Sequence, residues 1–221
     1  MTVPTLSFKH RFVQAQSSPL PTLLLLHGTG GDENDLLPLG QVLAPGAALL
    51  SPRGKVLENG MPRFFRRLAM GVFDEQDLRF RTQELAEFVH AASNRYGFDS
   101  GSVVAVGYSN GANIAASMLL LYPRVLRGAV LFSPMVPLKL QHLPDLSGVA
   151  VLLAAGREDS VVPPENTKQL LLLFEQAGTD VAEYWHEGGH ELSPSAVEAA
   201  HRWLSQLFEQ LSQDHFKKDS Q

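Results

Sequence analysis

Short apolar runs and longer mixed stretches alternate along this chain. Residues 6–14 alternate apolar and polar positions, as an edge strand with one wet face does. Thr22-Leu23-Leu24-Leu25-Leu26 is apolar without a break, which predicts a strand buried on both faces. Runs of the same kind fall at 47–51, 102–106, 128–132 and 149–155, and residues 180–185 read as a last, more polar strand. The stretches between them are spaced for helices. Residues 32–43 carry acidic groups in the first turn. Residues 74–96 put Leu78, Leu85, Phe88 and Val89 on one side and end at Gly97. Residues 112–122 stop at Pro123, Pro163-Pro164 open a helix to about 177, and Pro194 opens one to about 211. Two stretches fit neither period. Residues 55–73 are basic and aromatic and read as one long loop, a kind that is usually functional. Residues 135–146 contain Pro137 and Pro144 and read as no regular helix.

Strand and helix thus alternate throughout. That predicts one α/β domain over residues 1–212, with a mostly parallel central sheet, helices on both faces and no large lid. Residues 213–221 read as a polar tail. In such sheets the working loops gather at the carboxyl ends of the strands.

Composition narrows the classes. With 221 residues, 44% of them hydrophobic, the chain can bury a sizeable core as one domain. A net charge of -5 gives no nucleic-acid footprint. The absence of cysteine excludes disulfides and thiolate metal sites, and points to the cytoplasm. The first residues lack the apolar core of a signal peptide, and the longest apolar stretch, 148–156, is about half a membrane span. The expected partner is therefore a small molecule, not nucleic acid or membrane; a homodimer stays open.

Gly107-Tyr108-Ser109-Asn110-Gly111 reads G-x-S-x-G between a predicted strand and a predicted helix, the context of a nucleophile elbow. Small neighbours let the serine take a strained backbone, and the helix N-terminus favours negative charge beside it. A serine hydroxyl needs a base, and the base needs an orienting carboxylate. In α/β-hydrolases the chain order is serine, acid, histidine. Ser109, Asp159 and His190 meet it, each just beyond a predicted strand. Asp159 is favoured over Glu158 and Asp180 because Val161-Val162-Pro163 fixes a turn after it. Of eight histidines, His190 alone follows two glycines in a strand-to-helix loop. His186 is its nearest rival. His27 is expected to support a loop, and His10, His90, His142, His201 and His215 to be solvated.

The oxyanion needs backbone donors. Asn110, next to the nucleophile, is one; Thr29, in the loop His27-Gly28-Thr29-Gly30-Gly31, is the other. His186-Glu187-Gly188-Gly189-His190 matches the H-E-x-x-H zinc pattern, but that pattern requires a helix, and two glycines cost about 2 kcal/mol of helix propensity. No metal is expected. The substrate pocket is expected to be lined by Phe64, Phe65, Leu68 and Phe73 from the long loop and by Met135, Val136 and Leu138, which suits short acyl or aryl groups. Arg63, Arg66 and Arg67 leave room for an anionic substrate group, but solvated arginines are the expected outcome.

The blocks LLLLHGTGGDENDLLPL, SPRG, GYSNGANIA, GREDSVVP and GGHELSP, spread over residues 23–194, resemble the phospholipase/carboxylesterase family of small α/β-hydrolases, which includes acyl-protein thioesterases. The segment SPRGKVLENGMPRFFRRLAMGVFDEQDL looks closest to a bacterial branch of hydrolases, some associated with hydroquinone stress. The resemblance implies the α/β-hydrolase fold and a cofactor-free serine carboxylesterase working through an acyl-serine. It also implies the triad Ser109, Asp159, His190 and the donors Thr29 and Asn110. Relatives often have Leu at the position of Thr29, and Gln-Gly-Gly where Asn110-Gly111-Ala112 stands. Both departures bear on substrate preference. A thioesterase or lysophospholipase would use the same machinery; a ligand receptor on this fold would not need it.

Overall fold

A computed structural model describes residues 6–16 and 20–218. In chain order the elements are β1 (His10–Val13), β2 (Thr22–Leu26), α1 (Leu37–Leu43), β3 (Leu49–Pro52), β4 (Val56–Glu58), β5 (Met61–Arg63), β6 (Arg67–Ala69), β7 (Val72–Phe73), α2 (Glu75–Tyr96), β8 (Val103–Tyr108), α3 (Asn110–Leu121), β9 (Gly128–Phe132), β10 (Ala150–Gly156), α4 (Pro164–Gln176), β11 (Asp180–His186) and α5 (Pro194–Lys218). Seven strands form one sheet in the order β1-β3-β2-β8-β9-β10-β11. Its pairings are parallel except β1 with β3, which is antiparallel and forms one edge.

The unbroken apolar runs have a simple cause. Leu24, Ala105, Leu131 and Leu153 pack on one side with Phe88 of α2, Ile114 of α3 and Phe174 of α4. Their chain neighbours Leu23, Val104, Val130 and Leu152 pack on the other with Leu43 of α1 and Leu204 of α5. Both faces are covered, so alternation disappears from the central strands. Among the described residues no helix is long and apolar enough to cross a membrane.

Three expectations are corrected. Residues 55–73 are not a structureless loop but two small hairpins, β4–β5 and β6–β7. Asn59 and Gly60 turn the first with φ of 52 and 80, the double left-handed turn that matches strand twist. The helix expected from 32 starts only at Leu37. Asp32 accepts the N–H of Asn34 and pairs with Arg53, and Glu33 is bridged by Arg53 and Lys9, so both carboxylates hold a loop instead. The last helix continues through Lys218, past the expected stop near 211, because nothing between breaks it. The remainder of the expected tail, 219–221, lies outside the described residues.

Candidate active site

Parallel strands deliver their following loops to one rim. The ends of β2, β8, β10 and β11 there bring together His27 to Gly31, Ser109, Asp159 and His190. Ser109 sits between β8 and α3 with φ 53 and ψ -111, a conformation costly for a non-glycine residue. Neighbours hold it there. Its N–H donates to Phe132 O on β9 at 2.9 Å, and its carbonyl accepts the N–H of Asn113 at 3.0 Å. A Cβ on Gly107 would stand 2.6 Å from the Gly111 carbonyl, and one on Gly111 would run into that of Leu26. Only glycine allows the turn to close so tightly.

His190 Nε2 is 2.9 Å from Ser109 Oγ, and its Nδ1 is 2.7 Å from Asp159 Oδ2. The Asp159 side chain is fully buried, and its other oxygen accepts the N–H groups of Val161 and Val162, both at 2.8 Å. The turn after the aspartate thus fixes the carboxylate that faces the imidazole. The loops that carry Asp159 and His190 are also stitched together. Glu158 N–H donates to Gly188 O at 3.1 Å and Arg157 N–H to His186 O at 2.8 Å. Tyr108, beside the serine, donates its hydroxyl to His190 O at 2.5 Å. Nothing in the sequence marked Tyr108 beyond its place in the pentapeptide. His186 is buried, its Nδ1 accepting the Gly188 N–H at 3.1 Å. The H-E-x-x-H stretch spans a strand end and a turn, so its histidines do not share a helix face. Glu158 and Asp180 are exposed.

The glycine loop is held by His27. Its Nδ1 bonds Gly28 O at 2.6 Å, so Nε2 is left to accept the Gly54 N–H at 2.9 Å. Burial, only partly offset by the Gly28 carbonyl, lowers its pKa and keeps the ring neutral. Gly30 N–H is spent on Pro62 O and Gly31 N–H on Gly28 O, whereas Thr29 N–H has no acceptor among the described residues. Thr29 and Asn110 both border the cleft over Ser109. His10 and His201 are not simply solvated: one bonds Tyr96 OH at 2.7 Å, the other Leu43 O at 2.9 Å.

The cleft is small, about 40 Å³, and its walls include Arg63, Arg67, Phe73 and Met135. A cavity of about 560 Å³ lies far off, where Thr22 and Ser102 begin their strands, away from these groups. Of the expected pocket residues, Phe73 and Met135 reach the cleft. Phe64 and Phe65 are buried core, Phe64 against His27 at 4.7 Å and Phe65 edge-on to Phe73 at 4.9 Å. Leu138 is also core, Val136 packs half-buried against it, and Leu68 projects into solvent. Phe64 and Phe65 lie in the link between the two hairpins, where both rings turn into the core, whereas Leu68 sits on β6 and faces out. Arg63 departs most from expectation: it is buried and faces the cleft.

Two asparagines hold the walls. Asn110 Oδ1 accepts the Phe64 N–H at 2.7 Å, and Asn113 Oδ1 accepts the Met135 N–H at 2.9 Å. They stand three apart on α3, one face of a helix. Sequence reading missed Asn113; a buried-type position taken by an amide just after the elbow was the available signal.

A doubly covered parallel sheet with a strained serine between strand and helix defines an α/β hydrolase. The phospholipase/carboxylesterase family model matches residues 9–208, and the chain belongs to that family. It is 48% identical to the putative hydrolase MhqD of Bacillus subtilis (strain 168) over 90% of this chain and 98% of that one. The Bacillus cereus carboxylesterase superposes with a TM-score of 0.91 at 50% identity, over 92% of this chain and 96% of that one. YahD, solved with malic acid, superposes at 0.84 with 31% identity, over 90% and 99%. These relatives make the chain a hydrolase of carboxylesterase type.

Proposed function

We propose that the protein is a serine carboxylesterase acting on small esters. The observation that carries this is the hydrogen-bonded run from Asp159 through His190 to Ser109. His190 Nε2 takes the proton of Ser109 Oγ as the oxygen attacks the ester carbonyl. Asp159 holds the ring with Nδ1 protonated and stabilises the imidazolium. The backbone N–H groups of Thr29 and Asn110 receive the oxyanion. His190 then gives its proton to the leaving alcohol, and water, activated by the same nitrogen, releases the acid from the acyl-serine.

Size supports short acyl groups. About 40 Å³ is far below the several hundred of a pocket that encloses a drug-sized ligand. The test is Ser109→Ala with p-nitrophenyl esters of two to eight carbons. Wild type should prefer the short end. The variant should lose about 10⁴-fold or more in kcat, and with it all labelling by a fluorophosphonate. More than about a hundredth of wild-type kcat in the variant would contradict the assignment.

A further inference from the structure

Arg63 and Arg67 occupy the ends of β5 and β6 and border the cleft above Ser109. A buried guanidinium needs a counter-charge, since it stays ionised. Arg63 has a side chain only 3% exposed, yet it does not have a carboxylate to itself. Glu58 is shared: Oε2 lies 3.4 Å from Arg63 Nη1 and Oε1 lies 2.9 Å from Arg67 Nε. Among the described residues no other carboxylate pairs with either arginine; Arg66, between them, turns outward to Asp74 and Asp77. Two positive charges thus face one negative charge at the cleft wall.

The remaining bonds of Arg63 go to neutral oxygens, Thr29 Oγ1 at 2.6 Å and Phe65 O at 3.2 Å. The bond to Thr29 ties the guanidinium to the same residue whose N–H faces the reacting carbonyl in the esterase reading. Arg67 spends Nη1 on the Met70 sulfur at 3.2 Å, a weak acceptor. Nη2 of each arginine has no protein acceptor among the described residues. Burial, then the charge of Arg67, lowers the pKa of Arg63, the direction expected where positive charge is under-compensated.

We propose that Arg63 and Arg67 form an anion subsite beside the nucleophile, and that the preferred substrates are small esters that also carry a carboxylate. This rests on the serine esterase reading and adds the chemical class of the substrate. Among the described residues each guanidinium keeps its Nη2 group unspent, a charged donor suited to a carboxylate oxygen. Glu58 sets the strength of the subsite, because it neutralises part of the same charge.

The test compares kcat/KM for matched esters. Monomethyl glutarate against methyl valerate places the carboxylate on the acyl side; 4-acetoxybenzoate against 4-methylphenyl acetate places it on the alcohol side. In at least one pair wild type should favour the anion by about 10-fold or more, and the ratio should shrink in 0.5 M NaCl. Arg67→Gln should lower that ratio about 10-fold. Glu58→Gln should raise it, and opposite movements of one ratio cannot come from general damage to the fold. A ratio near one in both pairs, or one unmoved by either substitution, overturns the subsite and leaves Arg63 and Arg67 as struts of the hairpins. Fluorophosphonate labelling of Ser109 separates the two levels. With labelling and neutral-ester turnover intact, a flat ratio defeats the subsite alone; without them, the esterase reading fails and takes the subsite with it.

Discussion

Replacing Asp159 by asparagine exposes how one turn controls a proton. In the native site Oδ1 accepts two backbone N–H groups, of Val161 and Val162, and Oδ2 accepts His190 Nδ1. Asparagine offers one acceptor and one donor in those places. If its oxygen keeps the two amides, its NH2 group faces Nδ1, which must then carry a lone pair. The ring proton moves to Nε2, which donates to Ser109 Oγ and can no longer take its proton. The reverse amide orientation leaves the buried Val162 N–H and the half-buried Val161 N–H without acceptors, at about 1–3 kcal/mol each. A difference of roughly 2–6 kcal/mol leaves between about 3% and about 0.004% of molecules in the productive arrangement. With the carboxylate charge gone as well, kcat should fall about 10⁴-fold. The turn survives, so Tm should stay within a few degrees. Asp159→Ala loses the turn bonds too, at about 2 kcal/mol or more, and its Tm should fall by at least about 4 °C. Steady-state hydrolysis of p-nitrophenyl acetate and differential scanning calorimetry read the two effects. An asparagine variant within tenfold of wild-type kcat would refute the proton argument. One as heat-labile as the alanine variant would refute the claim that the two N–H groups orient the amide.

Phe65→Ala should cost about 3–5 kcal/mol of stability and leave acyl-chain preference unchanged, since the ring is core; Met135→Ala should do the reverse and admit longer acyl chains. A changed substrate profile in the Phe65 variant with unchanged Tm would return that ring to the cleft. His27 gives a pH signature. Its folded pKa is lowered by burial from an ordinary 6.5, so the unfolded chain takes the proton first, and stability that is whole above 6.5 declines as pH falls below it. Urea unfolding at pH 7.5 and 5.5 should show that decline in wild type and a smaller one in His27→Gln; an equal decline in both would clear His27 of the effect.

Most parts of the molecule that were legible in the sequence share a cause. Strands buried on both faces are apolar runs, and Ser109 and Asp159 each follow one; His190 follows the edge strand β11, marked instead by the two glycines before it. The hairpins of residues 56–73 were not legible by period, because strands of two or three residues are too short to show alternation. Their one local signal was Asn59-Gly60, a dipeptide suited to a two-residue turn. Without it Phe64, Phe65 and Leu68 share one expected wall, whereas the link between the hairpins takes both rings into the core and β6 turns Leu68 to solvent. Acidic residues before a helix were read as its first turn. Asp32 and Glu33 instead serve Arg53 and Lys9, a competition decided by long-range partners that spacing does not reveal.

Chemistry and recognition are attached to the sheet by different fastenings. The nucleophile is seated by the β8 and β9 backbone, while the first hairpin hangs from α3 by the Asn110 side chain at Phe64 and from the glycine loop by Arg63 at Thr29. Beyond those points its tip stands free: a side chain grown at Gly60 would touch nothing within 4 Å. The turn still demands left-handed φ at Asn59 and Gly60, so exchange there favours asparagine, aspartate and glycine, and among the described residues the tip shares no hydrogen bond with the seat of the serine. The seat of Ser109 and the tip of the hairpin are therefore separable parts, and the tip can vary while the strained turn at Ser109 stays as it is.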